Sequence, residues 1–142
     1  MDPASAIIGI VAFSITVCEK INTLRKELKG APRQVQTLQE LCGVVELFLD
    51  RLQSVNVHEI SYSAGEAAYL NVLCDRSQRC LEAVDKVVET IVARIPTRDS
   101  AVGLPAIRWR KWVSKKDDLE ELSQQLSKVK DALGIMLDFM HS

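Results

Sequence analysis

Apolar residues recur along this chain at alternating spacings of three and four. In the first stretch they are Ile7, Ile10, Val17, Ile21, Leu24 and Leu28, with Ser14 filling the gap. A second stretch carries Val35, Leu38, Cys42, Val45, Leu49 and Leu52, and a third Ala67, Leu70, Cys74, Leu81, Val84, Val88, Ile91 and Ile95, with Ser77 at its gap. The last runs Leu119, Leu122, Leu126, Val129, Leu133, Met136 and Met140. A spacing that averages about 3.5 residues is the seam of helices packed about 20° off parallel or antiparallel. No stretch alternates with the period of a strand, so no sheet is expected.

The punctuation sets the bounds. Pro3 suits a first helical turn, Gly30 an end, and Ala31-Pro32 opens the second helix. The segment 55–62 reads as an irregular linker. Ser63-x-x-Glu66 is a capping box for the third helix, and Pro96 stops it. Residues 96–105 read as a loop from their Pro, Gly, Ser and Asp content. Ser114, followed by Asp117 and Asp118, reads as the cap of the last helix. The expectation is an all-α chain: an antiparallel four-helix bundle with a short additional helix before the last long one. Its helices fall at about 3–29, 32–54, 63–95, 105–113 and 115–140, within a single domain over 1–142.

The first helix differs from the rest. Between Pro3 and Cys18 there is no charged residue, and from Glu19 onward the helix becomes amphipathic. An all-apolar helix must be covered on every side, whereas an amphipathic one needs only one covered face. The uncharged run spans roughly 24 Å, short of about 30 Å of hydrocarbon, so the resting expectation is a helix buried on all sides in its N-terminal half. Ser5 and Gly9, and Ala12 and Thr16, are small pairs four apart, a spacing that permits close helix approach in lipid. Glu19 stands where the uncharged run stops. In an assembly of several copies it would place a ring of carboxylates that favours cations.

Composition narrows the classes. The chain has 142 residues, 47% hydrophobic and 26% charged, with net charge −1, which suits one globular domain and supplies no global pull toward nucleic acid. Locally, residues 94–116 hold seven cations against Asp99 alone. Within them, Arg108, Trp109, Arg110, Lys111, Trp112, Lys115 and Lys116 mix indoles with cations, a composition suited to a layer of anionic lipid headgroups. Nucleic acid fits less well, because the patch is short. The plainer reading is that one or both indoles cap an open bundle end. Cys18, Cys42, Cys74 and Cys80 lack metal-ligand spacing and read as reduced, mostly buried thiols. No phosphate loop, HExxH, CxxC or triad spacing is present, so no enzyme, metal or cofactor is expected. The apolar run lacks a basic n-region, so a soluble intracellular protein is expected.

The opening MDPASAIIGIVAFSITVCEKINTLRKELKGAPRQVQTLQEL resembles the start of fungal NOD-like receptor (STAND) proteins, with their MDPxS opening, apolar helix and AP turn into helix two. The tail RWRKWVSKKDDLEELSQQLSKVKDALGIML resembles a second segment of that family. Trp109 or Trp112, Lys115, Lys116, Asp117, Leu122, Leu126, Val129, Lys130 and Leu133 carry this match. The family's proline after the tryptophan is absent. The domain so resembled is the HeLo-like domain. The resemblance implies an N-terminal effector of an immune-type or heterokaryon-incompatibility receptor, related in fold to the mixed-lineage kinase-like executioner and plant coiled-coil resistance proteins. It implies oligomerisation with other copies, departure of the N-terminal helix from the bundle, and membrane permeabilisation in programmed cell death and innate immunity. Ile7, Ile8, Ile10, Val11, Phe13 and Ile15 would then be the membrane-inserting residues. The partners implied are other copies, anionic membrane lipids and C-terminal receptor domains, with movement from cytoplasm to plasma membrane. The alternative is a non-lytic helical adaptor.

Overall fold

The computed structural model describes residues 3–30, 32–57, 63–97 and 100–141. Four helices carry most of them: α1 (Pro3–Glu27), α2 (Arg33–Val57), α3 (Ala64–Ile91) and α4 (Trp109–His141). Between α3 and α4 lie two strands, β1 (Val92–Thr97) and β2 (Ser100–Ile107).

The four seams fold as their spacing requires. Every apolar seam position of the first two stretches is buried, from Ile7 to Leu28 and from Val35 to Leu52. The same holds from Leu70 to Ile91 in α3 and from Leu119 to Met136 in α4. Both gap serines are buried too. Each turns its hydroxyl back on its own helix, Ser14 donating to the Val11 carbonyl and Ser77 to the Leu73 carbonyl, both at 2.7 Å. That internal bond is how a serine enters an apolar seam without an orphaned hydroxyl.

The capping box forms as expected. Glu66 N–H donates to Ser63 Oγ at 3.2 Å, and Ser63 N–H donates to the Glu66 carboxylate at 3.1 Å. The Pro32 carbonyl accepts from Val35 and Gln36 and starts α2. Gly30, at φ 83, makes the left-handed turn between α1 and α2, a conformation that costs glycine little. α2 runs on to Val57, past its expected fading point. Residues 58–62 of the expected linker lie outside the described residues.

Three expectations are corrected between α3 and α4. α3 ends at Ile91, not Ile95, because Val92 turns extended at φ −92, ψ 116. The chain then forms an antiparallel β-hairpin in which Val92 pairs with Ile107 and Thr97 with Ser100, where a loop and no sheet were expected. A two-stranded ribbon has only edge strands, so the missing N–H groups of Pro96 and Pro105 are tolerated. The additional helix over 105–113 is absent: 105–107 belong to β2, and Trp109–Val113 are the first turns of α4. Ser114 is therefore inside a helix, its hydroxyl donating to the Lys111 carbonyl at 3.1 Å. A serine followed by acids carries the composition of a cap, yet it is equally satisfied by its own helix.

α1 packs against α2 and α3, and α4 packs against the same two. Contacts along the seams give the senses. Asn22 and Arg25, late in α1, meet Gln39, early in α2, so these helices run oppositely. Ser5, Ala6, Gly9 and Ile10 share a groove with Asn71, Cys74, Asp75 and Gln78, while Lys20 meets Asp85 and Glu89, so α1 and α3 run in the same sense. α3 and α4 run oppositely, with Arg76 and Cys80 near Lys128 and Val129 while Val87 and Thr90 lie near Lys115 and Asp118. Gly134 lies so close to Phe48 that an added Cβ would meet the ring at 3.4 Å. The order around the core is α1, α2, α4, α3. The hairpin sits where α1 and α3 end, its base closed by Arg108 N–H donating to the Ile91 carbonyl at 2.8 Å.

Candidate functional site

Packed mainly against α2 and α3, α1 leaves part of its circumference open. Ile7, Ile10, Val11, Ser14 and Val17 face the core, and Phe13 is half-buried against it. Ile8 is 55% exposed and Ile15 42%, and Ser5, Gly9, Ala12 and Thr16 are exposed beside them. The expectation of a helix buried on all sides is corrected: the N-terminal half of α1 is core on one side and an open, uncharged, mostly apolar face on the other. By length and composition, Ser5–Glu27 could cross a membrane, a test that core helices of soluble proteins also pass. Of the six residues named for insertion, Ile8 and Ile15 are open now, whereas Ile7, Ile10 and Val11 become available only if the helix leaves.

Glu19 is exposed at the end of this face. Beside it, Lys20 is held between two carboxylates of α3, 2.7 Å from Asp85 Oδ1 and 2.6 Å from Glu89 Oε1. Asp85 first and Glu89 second raise its ammonium above the ordinary lysine value. Nothing in the local sequence pointed to this cluster, since Lys20 and Glu89 are 69 positions apart. The same applies to Cys18, whose thiol contacts Cys42 and Glu46 of α2. Hydrogen bonding to Cys42, then burial, hold it strongly toward the protonated thiol. Burial pushes the Cys74 and Cys80 thiols up to about 11. All four cysteines are free.

The basic segment does not act as one patch. Trp112 is 9% exposed and belongs to the core, while Trp109 is 55% exposed. Arg108 is turned onto the end of α3, its guanidinium donating to the Thr90 carbonyl at 3.3 Å. Lys115 pairs with Asp118 at 3.6 Å. Trp109, Arg110 and Lys111 form the exposed remainder, with Val113 beside them. Arg108 lines one groove with Lys20 and Thr23, so this segment lies level with the second half of α1, roughly 15 Å along the axis from the middle of the open face at about 1.5 Å per residue. The two candidate membrane elements that composition suggested are thus separated along the long axis.

Among the described residues, seven of the nine large exposed apolar side chains lie in the half of the bundle where α1 begins: Ile8, Ile15, Leu47, Tyr69, Val72, Ile135 and Phe139. Among the described residues, no group of His, Cys, Asp and Glu side chains is arranged to hold a metal ion. A groove of about 530 Å³ between α2 and α4 is lined by Arg33, Thr37, Glu120, Ser123 and Ser127 among others. Compared with known proteins, the chain matches no family model, no curated protein and no solved structure.

Proposed function

We propose that this chain is a membrane-directed effector domain of the HeLo-like kind, the N-terminal part of a fungal immune-type receptor. In this reading residues 1–142 form a single domain, a four-helix bundle in which successive helices run oppositely while the neighbours α1 and α3, and likewise α2 and α4, run in the same sense, with a hairpin at one end, and the domain performs no catalysis. On activation it self-associates, moves from cytoplasm to plasma membrane and uses α1 against anionic lipid to trigger cell death. The observation that carries the reading is the open, uncharged face of α1, with Ile8, Gly9, Ala12 and Ile15 exposed on a helix whose other side is core. An aqueous protein gains nothing from that face alone, whereas lipid rewards it by the ordinary transfer free energy of apolar surface. The resemblance of both chain ends to the HeLo-like family supports the same conclusion.

Leakage of anionic vesicles tests it. Ile8→Glu with Ile15→Glu changes only the open face, so the fold survives. The expected result is loss of leakage with unchanged circular dichroism. Equal leakage from the double variant and the unaltered protein would remove α1's open face from the mechanism.

A second reading, a non-lytic adaptor, draws on the exposed apolar residues of all four helices, which suit protein association. Forced clustering in cells separates the two. Oligomers without membrane recruitment or death favour the adaptor.

A further inference from the structure

Two thiols face each other across the α1–α2 seam, where the register of the helices puts them. Gln39 donates to Asn22 Oδ1 at 3.3 Å, so α1 and α2 stand level at that point. Cys18 lies one turn before Asn22, and Cys42 about one turn after Gln39. The helices run oppositely, so both steps go the same way along the axis, by about 5 Å. Each step also stays on the facing side of its helix. The Cys18 thiol accordingly meets Cys42 in a hydrogen bond, and meets Glu46 one turn further along α2.

The pair is unequal in access. Cys42 is fully buried, whereas Cys18 is half-buried against the core. A dissolved reagent therefore meets Cys18 first, and Cys42 lies behind it. Cys74 borders the α1–α3 groove and Cys80 the α3–α4 groove, so neither shares this seam.

We propose that Cys18 is an oxidation site for a peroxide, with Cys42 as its resolving thiol, so that the pair closes into an α1–α2 disulfide. In the first step Cys18 Sγ attacks one oxygen of hydrogen peroxide. The S–O bond forms, the O–O bond breaks, and the leaving oxygen takes the thiol proton and departs as water. The product is a sulfenic acid. In the second step Cys42 Sγ attacks Cys18 Sγ. The S–S bond forms, the S–O bond breaks, and the hydroxyl leaves with the Cys42 proton as a second water. The two sulfurs together lose two electrons, and the peroxide gains them. A thiol held protonated by Cys42, burial and Glu46 is a slow nucleophile, so the pair records sustained exposure rather than a brief pulse. With a second thiol in contact, the sulfenic acid is captured before it oxidises further. This chemistry needs only the resting fold, and it stands or falls apart from the membrane reading.

Peptide mapping of the folded full chain tests it. The protein is exposed to hydrogen peroxide at neutral pH, remaining thiols are alkylated in denaturant, and the unreduced digest is read by mass spectrometry. The expected product is a monomer with one disulfide, Cys18 to Cys42, lost on adding dithiothreitol, and with Cys74 and Cys80 alkylated. Cys42→Ala is expected to leave Cys18 as a sulfenic acid that dimedone traps. Cys18→Ala is expected to slow oxidation of Cys42 at least tenfold. Should either variant fail to fold, the map of the unaltered chain is enough. A link from Cys42 to Cys80, a Cys18–Cys18 dimer, or Cys18 carried to sulfinic acid beside a free Cys42 would overturn the proposal. So would four free thiols after prolonged exposure.

Discussion

The Lys20 cluster allows a quantitative test of how α1 is fastened. The perturbation is a pair of double-mutant cycles, Lys20→Met with Asp85→Asn and Lys20→Met with Glu89→Gln. Both carboxylates lie at contact distance from the ammonium, 2.7 and 2.6 Å, so distance alone ranks them equal. Exposure does not. The Lys20 side chain is 32% exposed, Asp85 18% and Glu89 60%. Water screens the Glu89 pair as it does most surface pairs, leaving a coupling of about 0.3 kcal/mol. The Asp85 pair is better shielded, and a coupling of about 1 kcal/mol is expected. Asp85 Oδ1 is buried and has no hydrogen bond of good geometry, so it depends on the Lys20 charge. Lys20→Met alone should therefore cost about 1.5 kcal/mol, more than either coupling, because it strands that oxygen. Urea unfolding at neutral pH, followed by fluorescence and circular dichroism, measures all variants. Because the folded-state pKa of Lys20 is raised, its contribution is fully present below the unfolded lysine value of 10.5 and is lost only as pH climbs through the higher folded value. The difference between the unaltered protein and Lys20→Met should then stay flat from pH 7 to 9. A Glu89 coupling equal to or larger than the Asp85 coupling would refute the reasoning from exposure.

Ile10, 5% exposed, should not tolerate a charge: Ile10→Asp is expected to cost at least about 3 kcal/mol, read as a shift of the urea midpoint or loss of cooperative unfolding. The two tryptophans should separate cleanly, with Trp112→Ala costing about 3–5 kcal/mol and Trp109→Ala within about 0.5 kcal/mol in the same assay. With their thiols raised to about 11, Cys74 and Cys80 should alkylate at pH 8 only as fast as the protein opens, so mild denaturant should speed their labelling far more than that of an unfolded control. Neutralising Lys111, Lys115 and Lys116 together should weaken binding to anionic vesicles in a salt-sensitive way, and an unchanged affinity would leave the basic turn of α4 without a membrane role.

The seams were legible because burial follows spacing: a position that recurs every three or four residues has no other face to occupy. That is why Ser14 and Ser77, polar but on the seam, belong to the core by their spacing alone. The hairpin was not legible. Its strands carry Pro96, Gly103 and Pro105, residues that usually mark loops, and Ile95 continues the α3 rhythm one step beyond the point where Val92 turns extended. The Trp109–Trp112 pair reads as one amphipathic patch in sequence, and a three-residue step does keep both on one side of the helix, but Trp109 is the first residue of α4 and stays exposed whereas Trp112, one turn further in, is core. The Lys20 cluster depends on the register of α1 against α3, which no local pattern encodes. The open face of α1 likewise follows from neighbour count, and composition is blind to that.

The order of helices around the core has a consequence for what would remain if α1 left. α1 occupies a corner, so its loss leaves the α2–α4 and α4–α3 interfaces intact and connected. The remainder is a three-helix unit with a trough along one edge, floored by the side chains that α1 had covered. The same helix of another copy carries the side chains that would cover it. Were α1 to leave, reciprocal exchange of that helix between neighbouring copies would link them without any new interface being built.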